Sequence, residues 1–356
     1  MNLASTPQSI LTMALGLIIF SFLITAILIV PFIDFLYKLK FTRRVEGVGG
    51  KAKSLFDKLH DKKAGTPIGG GILVILIVTV LFVTLLPLAS RMGLFIQSSF
   101  ALSKEVFVIV FSFVSFGLLG LLDDGIKIFG KPKPGALGSV FGLTKTQKFV
   151  MQWILAGAIG YYLYSYMGIQ ILHIPLINVT LQLGWLYVPF AAFVIIFFTN
   201  AFNFTDGLDG LASGLLMIFL FAYIVITGTA SLDTPLFMFI GLWLGSLIAF
   251  LYFNTWPARI WMGDAGALSF GAMIAVIGLI TGNILATFVI GGLFVIEAAS
   301  SLLQILSYKL FKRKLFPLAP IHHTFLALGW EEPKIVIRAW LAGIMLAIFG
   351  LWISSI

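Results

Sequence analysis

Ten stretches of this chain run for about 20 residues almost free of charge, near 11–36, 68–89, 105–122, 149–167, 186–202, 211–228, 235–253, 267–282, 285–307 and 335–354. A helix of that length crosses the hydrocarbon core of a bilayer, and there the backbone has no water to satisfy its polar groups. Charged residues make up 10% of the chain and hydrophobic ones 60%, where soluble domains carry about 25% charge. The pattern predicts an all-α polytopic membrane protein: a single integral membrane domain, 1–356, with about ten transmembrane helices. Residues 1–10 hold no basic residue and the first apolar run is long, so no removable leader is expected. Without cysteines, disulfides and thiolate chemistry are excluded.

Orientation follows from the basic residues. Nine lie between Lys38 and Lys63, five between Lys127 and Lys148, and Lys309, Lys312, Arg313 and Lys314 follow the ninth span. Counting alternate loops, 21 of the 23 Lys and Arg fall on one side, leaving Arg91 and Lys104 on the other. That side is cytoplasmic, which puts both termini outside. The net charge of +9 is therefore read as topology, and no nucleic-acid partner is expected. No internal repeat of the inverted-repeat transporter kind is visible. The outer segment 168–184 alternates apolar and polar residues in places, as a short hairpin or interfacial segment does, with His173 structural.

Acidic residues show the same asymmetry. Asp123 and Asp124 end the third span in "LLDDGIK"; Asp206 and Asp209 follow the fifth in "FFTNAFNFTDGLDGLASG"; Asp264 follows the seventh in "NTWPARIWMGDAGALSFG"; His322 and His323 follow the ninth in "PLAPIHHTFLALGWEEPK". Four inner loops thus bring ionisable groups to one membrane depth, which predicts a convergent site at the cytoplasmic interface. Each motif alone has a plainer reading. Adjacent carboxylates can cap a helix junction, and Asp206 reads as an N-cap with Asp209 in the first turn. Neighbouring like charges call for a nearby cation, however, and Lys127 lies one turn beyond Asp123. Capping also leaves Asn200 and Asn203 unexplained, since both would face the same polar spot. Hard oxygen donors of this kind suit Mg²⁺ and a diphosphate.

Lys62, Lys63, Lys127 and Lys148 are candidates to neutralise phosphate oxygens, or else serve topology alone. "KKAGTPIGGG" (62–71) leads a basic pair into a Gly-rich turn at a helix start, a phosphate or nucleotide contact in outline. Walker A, strand-linked GxGxxG and HExxH patterns are absent. In "GGLFVIEAASSLLQIL" Glu297 falls within a span, with Gln304 seven residues on along the same face; it reads equally as functional or as a neutral packing group.

Together "LLDDGIK", "NAFNFTDGLDGLASG", "WMGDAGALSFG" and "APIHHTFLALGWEEPKIVIRAW" resemble the polyprenyl-phosphate N-acetylhexosamine-1-phosphate transferases, over about residues 60–340 and in the expected order. "KAGTPIGGG" with the histidine loop resembles the branch serving bacterial cell-wall synthesis. That resemblance implies ten transmembrane helices in the bacterial plasma membrane, a cytoplasmic active site and a Mg²⁺ requirement. The implied reaction moves phospho-MurNAc-pentapeptide from UDP-MurNAc-pentapeptide to undecaprenyl phosphate, giving lipid I and UMP, in an enzyme that can form a homodimer. It implies catalytic roles for Asp123, Asp124, Asp264 and His322 and metal binding by Asp264; the expected mechanism adds Asp206 as a second metal ligand. Substrate contacts are implied for Lys127, Asn203, Asp206, Asp209, Trp261 and His323; Lys63 and Lys148 join them as basic candidates for phosphate, and Gln304 by the face it shares with Glu297. Trp261 stands where the family has phenylalanine and keeps an aromatic face for uracil. Thr324 and Leu326 replace the family's third histidine and its glutamate. The expected chemistry is a direct displacement, with a covalent phospho-aspartate route as the alternative. Two other readings are kept: a UDP-GlcNAc transferase of polysaccharide synthesis, and an ion-coupled transporter, which would place carboxylates near mid-membrane.

Overall fold

A computed structural model describes residues 7–43, 65–91, 96–130, 143–229 and 233–356. The helices are α1 (Pro7–Lys38), α2 (Gly70–Arg91), α3 (Leu102–Phe129), α4 (Lys145–Ser165), α5 (Tyr187–Thr205), α6 (Leu211–Thr229), α7 (Thr234–Asn254), α8 (Gly263–Thr281), α9 (Ile284–Ile290), α10 (Gly292–Phe311), α11 (Ile321–Ala327) and α12 (Glu332–Ser354). Each of the ten expected spans corresponds to a helix. The ninth is divided between α9 and α10 at the Gly291–Gly292 pair, where a kink is cheap. Among the described residues nine helices are long and apolar enough to cross a membrane. The helix α4 falls outside that set because its first turns carry Lys145, Gln147, Lys148 and Gln152. It begins with a reciprocal cap, in which Thr144 Oγ1 accepts from the Gln147 N–H and Gln147 Oε1 from the Thr144 N–H.

Between α4 and α5, β1 (Ile171–Ile174) and β2 (Val179–Gln182) pair antiparallel, with Ile171 opposite Gln182. This is the expected hairpin, and His173 Nδ1 lies 3.1 Å from Thr180 Oγ1 on the facing strand, a structural contact.

The centre of the bundle is α8, buried continuously from Ala265 to Ile280 and packed against α3, α5 and α2. Lipid tails are as apolar as leucine, so helices associate in membranes by close packing over small residues. Two contacts of this kind set the site. A Cβ at Gly120 of α3 would lie 2.1 Å from the Asp264 carbonyl oxygen, and one at Gly71 of α2 would lie 2.3 Å from Gly266 Cα. Both contacts are with backbone, which cannot swing aside. Gly120→Ala is therefore expected to destabilise the protein by about 1–3 kcal/mol and to part α3 from α8. Gly125→Ala, which meets open space, should cost nothing. Thermal unfolding of the two variants in detergent checks the difference.

One end of the bundle gathers the C-terminal ends of α3, α5 and α7 and the N-terminal ends of α2, α4, α8 and α12, tied by the contacts described next.

Candidate active site

Four charged side chains meet where α3, α4 and α8 come together. Lys127 Nζ lies 2.9 Å from Asp123 Oδ2 and 2.5 Å from Asp264 Oδ2. Lys148 Nζ, from α4, lies 3.1 Å and 2.7 Å from the same two oxygens. Two ammonium groups thus occupy the gap between two carboxylates, as the crowding of Asp123 and Asp124 requires. The other oxygens are also engaged: Asp123 Oδ1 accepts from the Leu143 N–H at 2.8 Å and Asp264 Oδ1 from Asn203 Nδ2 at 2.9 Å. Asp124, almost fully buried, accepts the Ala265 N–H at 3.1 Å, capping the first turn of α8 and holding Asp264 in place. Asn200 does not join this group. One turn deeper, its amide donates to Gln152 Oε1 at 2.9 Å and to the Ile196 carbonyl.

The Gly-rich start of α2 has a different role from the one its composition suggests. The N–H groups of Gly69 and Gly70 donate to the Trp261 carbonyl, and that of Gly71 to Met262, at 2.8–3.0 Å. Donors engaged in this way cannot cradle a phosphate. The run instead stitches α2 to the loop before α8, with Trp261 N–H donating to Pro67. Lys62 and Lys63 lie outside the described residues. Trp261 itself is buried, and the Arg43 guanidinium carbon sits 5.5 Å from its ring centre.

Asp206 closes α5 as its C-terminal cap and α6 begins only at Leu211, so Asp206 is not an N-cap. The turn between them is braced from two sides. Glu332, in the first turn of α12, accepts the Asp209 N–H at 2.6 Å, and Asp209 Oδ2 accepts the Ala258 N–H at 2.9 Å. Asp209 thereby ties the 206–210 turn to the loop carrying Trp261. Asn254 supports that loop as well, donating to the Ile260 carbonyl at 3.0 Å.

One face of α10 forms a ladder of polar rungs. Ser307 Oγ donates to the Arg313 carbonyl, Gln304 binds the backbone of Leu315 and Phe316 with both ends of its amide, and Ser300 Oγ accepts the Ile321 N–H. Glu297 Oε2 then lies 2.9 Å from His322 Nδ1. The segment after α10 is thus folded back along the helix. Glu297 lies 14 residues, or about 21 Å of helix, before Phe311, yet it stands level with the His322 loop. Gln304 is occupied by that loop, and the structure does not bring it into the charged cluster. His322 and His323 are both buried, their ring centres 4.1 Å apart. His322 abuts the 206–210 turn so closely that a Cβ at Gly207 would lie 2.4 Å from Nε2. Thr324 donates to the Leu318 carbonyl, holding the same loop, and Leu326 packs against the core.

The structure therefore joins Asp123, Asp124, Lys127, Lys148, Asn203 and Asp264 in one cluster, and His322 with the 206–210 turn in a second. The reading of the sequence missed Glu332, Asn254 and Arg43. Glu332 sits one residue before Pro333 in a helix's first turn, where an acidic residue reads as a dipole partner and nothing more. Among the described residues no group of three or more His, Asp and Glu is arranged to hold a metal alone. Asp123 and Asp264 do offer hard carboxylate oxygens converging on one cation-filled gap. This fits the way Mg²⁺ is commonly held, by one or two carboxylates together with substrate phosphates.

Residues 106–282, which carry the whole charged cluster, match the family model described as glycosyl transferase family 4. Relatives align over nearly the whole chain. The phospho-N-acetylmuramoyl-pentapeptide-transferase of Geobacillus thermodenitrificans is 36% identical over 98% of this chain and 99% of its own. Proteins of the same name from Bacillus subtilis and Clostridium perfringens are 35% and 38% identical, over 95% and 90% of this chain and 96% and 90% of theirs. Identity at that level over nearly the whole chain places it in the phospho-N-acetylmuramoyl-pentapeptide-transferase family.

Proposed function

We propose that this protein transfers phospho-N-acetylmuramoyl-pentapeptide from UDP-MurNAc-pentapeptide to undecaprenyl phosphate at the cytoplasmic face of a bacterial plasma membrane, with both termini outside. The products are lipid I and UMP. The observation that carries the reading is the pair of lysines held between Asp123 and Asp264, because phosphoryl transfer asks a protein for positioned charge above all.

In the direct displacement, an oxygen of undecaprenyl phosphate forms a bond to the β-phosphorus of the donor as the pyrophosphate P–O bond breaks and UMP leaves. Asp123 receives the acceptor's proton and aligns its oxygen. Lys127 and Lys148 turn from the carboxylates to the phosphate oxygens of both substrates, offsetting charge where they meet. Asp264 would hold Mg²⁺ together with the substrate phosphates, and the ion would supply Lewis-acid neutralisation of the diphosphate. Asp124 keeps Asp264 in register through the start of α8, and Asn203 fixes its carboxylate plane. Asp209, Trp261 and Lys63 serve the nucleotide, the indole offering a face to uracil once Arg43 moves aside, while His322 and His323 meet phosphate oxygens.

A long prenyl tail cannot leave the bilayer, and a UDP-linked sugar peptide cannot enter it. A charged cluster at the ends of membrane helices is the place where both can arrive. The test is UMP release from purified protein given undecaprenyl phosphate, Mg²⁺ and one donor at a time. Release with UDP-MurNAc-pentapeptide alone is expected. Release with UDP-GlcNAc alone would move the protein to polysaccharide synthesis, and release with neither would overturn the transferase reading.

A further inference from the structure

The four rungs of the α10 ladder are not equivalent. Ser300, Gln304 and Ser307 hold the returning loop with neutral groups, so charge is not needed for that task. The remaining rung is a carboxylate, and it alone meets an imidazole. Glu297 Oε2 accepts from His322 Nδ1 at 2.9 Å and also approaches the His322 backbone N–H at 3.5 Å. Ring and backbone are thereby fixed together. The His323 ring packs on one side, and on the far edge Nε2 is buried, lacks a hydrogen-bond partner among the described residues and points at Gly207. A buried polar atom without a partner costs about 1–3 kcal/mol, so its retention calls for a purpose. Only a glycine at 207 lets the nitrogen come so near the turn between Asp206 and Asp209.

We infer that Glu297 is a positioning residue for phosphate binding: its carboxylate holds the His322 ring so that Nε2 is presented to a phosphate oxygen of the nucleotide at the 206–207 turn. The inference rests on the nucleotide-diphosphate reading above. The Glu297 carboxylate sits on the edge of the ring away from the ligand and fixes its orientation there. A glutamine at 297 keeps an acceptor for Nδ1–H, and so the fold of the loop, but removes the carboxylate charge.

The test measures binding of UDP and of uridine to the full-length protein in detergent with Mg²⁺, by isothermal titration. Glu297→Gln should weaken UDP about tenfold and leave uridine unchanged, since only UDP brings the phosphates. Ser307→Ala, which loosens another rung of the same ladder, should leave the ratio of the two affinities as it was. Equal affinities for Glu297→Gln and the unaltered protein, or a parallel fall for both ligands, would reduce Glu297 to a loop support and overturn the inference. Failure of the unaltered protein to bind UDP would overturn the nucleotide reading itself, and this inference with it.

Discussion

Asp264→Asn is expected to lower the rate of UMP release about a thousandfold while leaving the helices assembled. The substitution preserves shape, so the close approach of α3 to α8 at Gly120 survives. What it removes is an acceptor. Three donors converge on the Asp264 carboxylate: Asn203 on one oxygen, Lys127 and Lys148 on the other. An asparagine has one acceptor end only, so its own N–H₂ must face either the Asn203 amide or two ammonium groups. Either Asn203 loses its acceptor or both lysines lose half of their anchorage, and the proposed cation site loses its principal ligand. Unfolding close to that of the unaltered protein, with turnover lost at any Mg²⁺ concentration, is the expected pair of results. Activity within about tenfold of normal would remove Asp264 from the chemistry.

Lys148→Ala is expected to cost about a hundredfold in turnover, the usual effect of deleting one group aimed at developing charge. A positive-inside lysine and a site lysine look alike in sequence, and the structure separates them. Lys148 is mostly buried and touches Asp123 and Asp264 together, whereas Lys145, one turn earlier on α4, is exposed. Lys145→Ala should therefore stay within about twofold of the unaltered rate, in line with the small effect of most exposed charges. Equal losses from the two variants would mean that the cytoplasmic field, rather than a directed contact, accounts for both.

Much of this arrangement was legible in the residues because a membrane protein restricts what a long apolar run can be. All ten runs became helices, and the motif residues at their ends met at one end of the bundle. Asp123, Lys127 and Asp264 were expected together and lie together. Which of Asn200 and Asn203 would reach Asp264 was not legible, since the two are three residues apart on one helix and only packing against α4 and α8 decides between them. The Gly-rich start of α2 read as a phosphate cradle, because composition reports that a backbone can be approached closely without saying what approaches. Here it is the neighbouring chain, at Trp261 and Met262.

Depth was the other blind spot. Glu297 lies well inside an apolar run, which suggests mid-membrane placement of the kind transporters show. The loop after α10 folds back along the helix, however, and brings His322 and the 206–210 turn to the level of Glu297. The one carboxylate that favoured a transport path thus stands beside the candidate active site. Gln304 was drawn toward the substrate by the same reasoning from helix faces, and the returning loop claims it instead.

The most direct measurement follows the β-phosphate of the donor. Protein in lipid nanodiscs is given UDP-MurNAc-pentapeptide labelled at that phosphate, with Mg²⁺, and with or without undecaprenyl phosphate. Direct displacement predicts label in the organic phase only when the acceptor is present, in step with UMP, and none on the protein at any time. Label bound to the protein in the absence of acceptor would contradict the one-step account, and no label in the lipid under either condition would contradict the proposed function as a whole.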